Sequence, residues 1–111
     1  MPAKVKISRF QDLNPVIHEK TRLAIMTFLI SVREAAFMEI KNELGLTDGN
    51  LTLHMRALRR QGYARVRRSF VRRRPRTTFH ITEAGVRAFQ EYVALLERIL
   101  ANGRRVTGPR S

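Results

Sequence analysis

The sequence predicts a mainly α domain carrying one small β-hairpin, an α+β class. Three observations predict it. Apolar residues recur at three- and four-residue spacing in four stretches, and the period switches to strand-like alternation only after Tyr63. Capping residues and glycines punctuate the helical stretches at the positions where ends belong. A chain of 111 residues is enough for one such domain and too short for two.

The elements follow in order. Residues 1–13 read as a basic arm (Lys4, Lys6, Arg9) with Phe10 and Leu13 as docking points. The domain proper spans 14–101. Asn14-Pro15 reads as an N-cap with proline at the first helical position, opening a helix to about Val32 whose face includes Val16, Ile17, Leu23, Met26 and Ile30. A second, shorter helix covers Ala35 to Leu44, with a brief extended segment around Ala36 and Phe37 at its start and Gly45 as a left-handed stop. Thr47 caps a third helix running to about Arg60, which Gly62 terminates. Two helices joined by so short a link are a helix-turn-helix signature. In the hairpin, Ala64, Val66, Phe79 and Ile81 face one way, and Arg65, Arg67, Thr78 and His80 the other. Ser69 to Arg76, charged and containing Pro75, reads as a long basic tip and not as a central strand. Thr82 caps a last helix, Glu83 to about Ala101. Residues 102–111 read as a flexible basic tail.

Charge is segregated as well as abundant. The net charge is +13, and Gly49 to Thr82 holds ten arginines and no acidic residue. A folded element with one-signed charge of this density faces a polyanion. Function classes drop out in turn. Without cysteine there is no disulfide frame, zinc finger or thiol sensor, and His18, His54 and His80 lack metal-ligand spacing. No cofactor is implied. The longest apolar run, Leu23 to Val32, is interrupted by Thr27 and Ser31 and is too short for a bilayer, so the chain is placed in the cytoplasm with the nucleoid and off the membrane. Phosphate-cradling glycine loops, paired carboxylates and activated nucleophiles are missing, so an enzyme is not expected.

Helix, helix-turn-helix, basic hairpin, helix is the order of a winged helix. On a wheel of the third helix, Leu51, Met55 and Leu58 fall together while Gly49, Leu53, Arg56 and Arg60 lie opposite, with Asn50 and Thr52 at the flanks. Asn50 suits adenine, Arg56 suits guanine or phosphate, and Leu53 suits a thymine methyl. Gly49 lets backbone N–H groups approach a phosphate closely. Arg72, Arg73, Arg74 and Arg76 at the hairpin tip suit the backbone or the minor groove, with Arg67 and Arg68 behind them. The bland alternatives are a solvated helix face and a loop whose charge only aids solubility.

Three phrases carry a resemblance: Asn14-Pro15-Val16-Ile17-His18 with Arg22-Leu23-Ala24-Ile25; Leu44 through Thr52; and Arg74-Pro75-Arg76-Thr77-Thr78 leading to Thr82-Glu83-Ala84-Gly85. Together they resemble the small winged-helix transcriptional regulators related to the MarR and ArsR families, over roughly Phe10 to Leu96. The resemblance implies a homodimer on double-stranded DNA, with Asn50, Thr52, Leu53, His54 and Arg56 on the recognition helix and Arg72 to Arg76 on the wing. The residues themselves add Thr47, Gly49 and Arg60 to the helix and Arg67 and Arg68 to the wing, beside Arg72, Arg73, Arg74 and Arg76. His54 reads equally as a packing histidine, and His18 as structural. The chain departs from the pattern twice: Arg59, Arg60 and Gln61 stand where acidic residues are common, adding phosphate-binding capacity, and Arg72 stands where a turn glycine is expected. The resemblance leaves room for a small-molecule effector between helices and core, and no residue points to one.

The last helix carries Val86, Phe89, Tyr92, Val93, Leu96, Ile99 and Leu100 on one wide stripe, which suits pairing with a second chain. The expectation is therefore a sequence-specific, dimeric DNA-binding regulator acting as a repressor. Its rivals are an RNA- or ribosome-binding winged helix, a non-specific DNA-architectural protein, and a module that docks an acidic protein.

Overall fold

In the computed structural model, residues 2–104 are described. A 3-10 helix at Ile7–Asp12 is followed by α1 (Lys20–Val32), β1 (Glu34–Ala36), α2 (Phe37–Leu44), α3 (Asp48–Arg60), β2 (Ala64–Val71), β3 (Arg74–Ile81) and α4 (Glu83–Arg104). The three strands form one antiparallel sheet in the order β1-β3-β2.

The core follows the helical spacing in α3, but in the first helical stretch only Ile17 and Met26 of the expected face are fully buried. Val16, Leu23 and Ile30 are half-buried, and Ile25 and Leu29 take the inner positions. Ile17, Ile25, Met26, Leu29, Ile40, Leu51, Met55 and Leu58 are fully buried, with Ala64, Phe79 and Ile81 closing it from the sheet. Each large side chain removed from water contributes roughly 1.5–3 kcal/mol before entropy is counted. The helix-turn-helix is built as expected. Gly45 takes the left-handed conformation (φ 66°), and the N–H groups of Gly45 and Leu46 both donate to Lys41 O. Thr47 Oγ1 then accepts the Asn50 N–H at 3.1 Å and starts α3.

The first helix begins later than expected. Asn14 does cap, its Oδ1 accepting the N–H groups of Val16 (2.9 Å) and Ile17 (3.2 Å), but it closes a turn and not a helix. The helix starts at Lys20, where Glu19 in extended backbone accepts the Arg22 N–H at 2.8 Å. Burial pushes the Glu19 carboxyl up. Hydrogen bonds from the Arg22 and Thr21 backbone and the nearby His54 and Arg22 side chains outweigh it, and the net pKa lies below the ordinary 4.5. A lowered carboxylate stabilises above its unfolded pKa, and that contribution is lost as pH falls through the folded value. Wild-type thermal stability should therefore fall more steeply than that of Glu19→Gln as the pH drops below the ordinary carboxylate value of 4.5, as calorimetry would show. Equal slopes would contradict it.

The brief extended segment expected near Ala36 and Phe37 is β1, and α2 starts only at Phe37 because Glu34–Ala36 pairs with Thr78–His80. Glu39 completes the helix start, its Oε1 accepting the Ala36 N–H at 2.7 Å.

The hairpin differs from expectation at its tip. Residues 69–76 are not a long loop: the ladder continues to Val71↔Arg74 and closes through Arg72-Arg73 alone. Both have positive φ (53° and 67°), as a type I′ turn requires. Pro75 lies in β3, the central strand. Counting from the closing pair, Phe70↔Pro75 is a non-hydrogen-bonded pair, so the missing N–H faces away from β2. On that side β1 has already ended, opposite Thr78. The general rule against proline in central strands is thus met locally, because β3 is an edge at Pro75.

α4 crosses the hairpin base closely. Thr82 N–H donates to Tyr63 O (3.1 Å), Thr82 Oγ1 donates to Gly62 O (2.6 Å), and the same hydroxyl accepts the Gly85 N–H (3.0 Å). A Cβ on Gly85 would stand 2.3 Å from Tyr63 O. The helix continues through Asn102 and Gly103 to Arg104, beyond the expected end near Ala101. Asn102 Nδ2 ties that last turn to Val5 O (2.8 Å) as well as to Ile99 O (3.0 Å). The rest of the expected tail, 105–111, lies outside the described residues. No described helix is long and apolar enough to cross a membrane.

Candidate nucleic-acid interface

The outward side of α3 is the strip that the helical wheel isolates. Gly49, Asn50, Thr52, Leu53, Arg56 and Arg60 are all exposed, Leu53 to 59%. A solvent-facing leucine amid polar neighbours has no packing role in the chain. Thr47 is exposed too, but its hydroxyl is engaged in capping, so it positions the helix start.

His54 does not belong to that strip. Its side chain is only 13% exposed, and Nδ1 accepts from Arg22 Nη1 at 3.2 Å and lies 3.7 Å from Glu19 Oε1. The reason is the wheel itself: residue 54 stands three after Leu51 and four before Leu58, on the inward side. His54 locks α3 to the start of α1. His18 is structural as expected, its Nδ1 2.7 Å from the Tyr92 hydroxyl on α4.

Gly49 is open. A Cβ there would meet nothing within 4 Å, and its φ is not in the left-handed region. The fold therefore gives no reason for glycine inside the first turn, where alanine is the better helix former. Gly49→Ala should raise stability by about 0.5–1 kcal/mol and weaken binding to duplex DNA. A stabilised variant with unchanged affinity would refute the close-approach role.

Between α3 and the hairpin lies a cleft of about 250 Å³ lined by Thr52, Arg56, Arg59 and Arg68, with Phe37, Met55, Val66 and Phe79 at its floor. Three exposed arginines lining one space make it electropositive, which suits an anion. Arg59 is missing from the strip that the wheel isolates because it sits beside the core side. Its place three residues after Arg56 is the signal that it shares that flank.

The wing arginines are not equivalent. Arg67 Nη2 lies 3.6 Å from Glu34 Oε1, and Arg76 Nη2 lies 3.4 Å from Glu39 Oε1. These two pairs brace the hairpin against β1 and α2. Among the described residues, Arg68, Arg72, Arg73 and Arg74 have no acidic partner. The acid that does stand near the recognition strip, Asp48, is neutralised by Lys41 at 2.8 Å.

The α4 stripe divides. Tyr92 (3% exposed) and Ile99 are buried in the chain's own core, which removes them from any face offered to a partner. Burial raises the pKa of the Tyr92 hydroxyl, so it stays neutral and bonded to His18. Val86, Phe89, Val93 and Leu96 are half-buried against the core, and Leu100 is 55% exposed. The basic arm lies along the same helix. Arg98 Nε donates to Ala3 O (3.1 Å), and Leu13 is buried while Ile7 and Phe10 are exposed. No group of acidic and histidine side chains among the described residues has the arrangement of a metal site.

Comparison with known proteins follows the same lines. The profile described as "Winged helix DNA-binding domain" matches residues 21–100. An uncharacterized protein of Methanocaldococcus jannaschii is 31% identical over 78 residues, 70% of this chain and 85% of its own length. The structure of a transcriptional regulator homologue from Pyrococcus horikoshii superposes with a TM-score of 0.80 at 30% identity, covering 88% of this chain and 97% of that one. A PadR family transcriptional regulator from Eggerthella lenta shares the fold at a TM-score of 0.63 and 19% identity, over 94% of this chain and 100% of that one.

Proposed function

Because this chain belongs to the winged helix DNA-binding domain family, we propose that it is a homodimeric, sequence-specific repressor of transcription in the cytoplasm. The observation that carries this is the pairing of an exposed, acid-poor recognition strip with the arginine-lined cleft beside it. Asn50, Leu53 and Arg56 stand where α3 would meet base edges in a major groove about 12 Å wide. Arg59, Arg60 and Arg68 flank them toward the phosphates, and the wing reaches the adjacent backbone or minor groove. That division assigns positioning to many arginines and specificity to few side chains.

Dimerisation is supported by shape. The radius of gyration is 17.1 Å, whereas a compact chain of this length has about 13 Å. The excess comes with a 22-residue α4, about 33 Å long. The face assigned to the partner is Val86, Phe89, Val93, Leu96 and Leu100 on α4, joined by Ile7 and Phe10 from the 3-10 helix.

Selection from a random duplex pool tests the reading. The expected product is a pseudo-palindrome with half-sites about one turn, or 10–10.5 bp, apart. Arg56→Ala should relax discrimination at one position in each half-site, costing about 1–3 kcal/mol there. Preferential binding of structured RNA over duplex at moderate salt would overturn the repressor reading. A footprint without a preferred site would reduce it to architectural binding.

A further inference from the structure

The hairpin carries a side chain that neither phosphate contact nor core packing explains. Phe70 is 76% exposed although it sits inside a regular strand. Strand alternation places it on the same sheet face as Val66 and Arg68, the face against which α3 packs. It lies four residues beyond Val66, which is about 13 Å further along the hairpin. Its cross-strand partner is Pro75, in a non-hydrogen-bonded pair where side chains come closest. Phe70 and Pro75 thus form an apolar nose that overhangs the body on the recognition side.

The surroundings decide what such a nose meets. Arg68 precedes it on the same face, and Arg72, Arg73 and Arg74 close the strand ends just beyond it. A partner must therefore be polyanionic and offer flat apolar surface at the same spot. The stacked bases between the phosphates of a duplex have both properties. The eight-residue ladder and its two-residue turn fix the backbone that carries the ring, as an inserting group requires.

We propose that Phe70 is a wedge: it inserts from the wing into the minor groove of duplex DNA, partly unstacks one base step and untwists the site. Wedges of this kind pair an apolar side chain with flanking basic residues and favour flexible pyrimidine–purine steps. The inference rests on the DNA-binding reading above and adds deformation to it.

Closed circular plasmid relaxed by a topoisomerase in the presence of the full chain tests this without knowledge of the operator. Binding with insertion lowers the linking number in proportion to bound protein. Phe70→Ala should lose that change while keeping the salt dependence of duplex binding, since no charge is removed, and should bind within about tenfold of wild type. Phe70→Trp, which retains an aromatic wedge, should restore the shift. Because the side chain is exposed, Phe70→Ala should melt as wild type does by circular dichroism, which separates this result from misfolding. A wild-type protein that binds the plasmid without changing its linking number overturns the wedge and leaves the DNA-binding reading intact. An undiminished shift in Phe70→Ala does the same, as does loss of self-association in sedimentation with the shift unchanged, which would give Phe70 to a second copy. Failure of the wild type to bind duplex at all overturns both.

Discussion

Replacing Arg72, Arg73, Arg74 and Arg76 together by Asn, Gly, Thr and Thr will flatten the salt dependence of duplex binding without unfolding the protein. Each phosphate left without its arginine takes about 0.9 off the slope of log affinity against log salt. Arg72, Arg73 and Arg74, which lack an acidic partner, therefore take off about 2.7 per bound chain, and Arg76, already paired with Glu39, at most about 0.9 more. Arg72 and Arg73 hold positive φ, a conformation that costs a side-chain-bearing residue roughly 1–2 kcal/mol. Asn-Gly suits the same turn, which offsets loss of the exposed Arg76–Glu39 pair, worth at most about 1 kcal/mol, so stability should hold while affinity falls. Threonine at 74 and 76 keeps strand preference. Arg73→Ala alone should weaken specific and random duplexes alike. An unchanged slope in the fourfold variant would show that the wing does not touch phosphate.

Gly85→Ala should be the most damaging single methyl group in the domain. The added Cβ would stand 2.3 Å from Tyr63 O and 3.0 Å from Ile81 Cδ1. The carbonyl cannot retreat freely, because it accepts the Thr82 N–H at 3.1 Å. Overpacking against backbone costs about 3 kcal/mol, only partly offset by the helix preference of alanine, about 1 kcal/mol. A net loss of about 2 kcal/mol lowers the melting temperature of a domain this size by roughly 8–16 °C. Gly49→Ala is the natural control, the same chemical change in open space with the opposite sign expected. A melting temperature within a degree or two of wild type for Gly85→Ala would contradict the close crossing.

Much of this molecule is legible in the sequence because each helix carries its own punctuation. Thr47 and Gly45 act through their nearest neighbours along the chain, so their roles can be read locally. The inward set of Leu51, Met55 and Leu58 is fixed by helical geometry alone. What escaped depends on partners distant in sequence. Asn14 looks like a helix cap, yet the chain turns there so that Ile17 can enter the core and Asn14 Nδ2 can meet the Tyr63 hydroxyl at 2.8 Å. Tyr92 and Ile99 belong to the same apolar stripe as Val93 and Leu96, and only packing against the first segments separates them. The arginines at 72 and 73 hid a two-residue turn because the usual glycine signal is missing. Arg59 is legible as added phosphate-binding capacity, but the cleft it lines needed the hairpin in place before it existed. The family is correspondingly easier to read than the individual contacts.

Pro75 has a consequence beyond the shape of the hairpin. It stands on the stretch of β3 that β1 leaves uncovered, opposite the exposed Phe70. An uncovered strand next to bare apolar side chains is a template on which identical chains can stack edge to edge. With no N–H to offer at that position, the strand interrupts the ladder that such stacking needs. The proline beside the exposed apolar pair thereby keeps this bare strand edge from pairing with its copy in another chain.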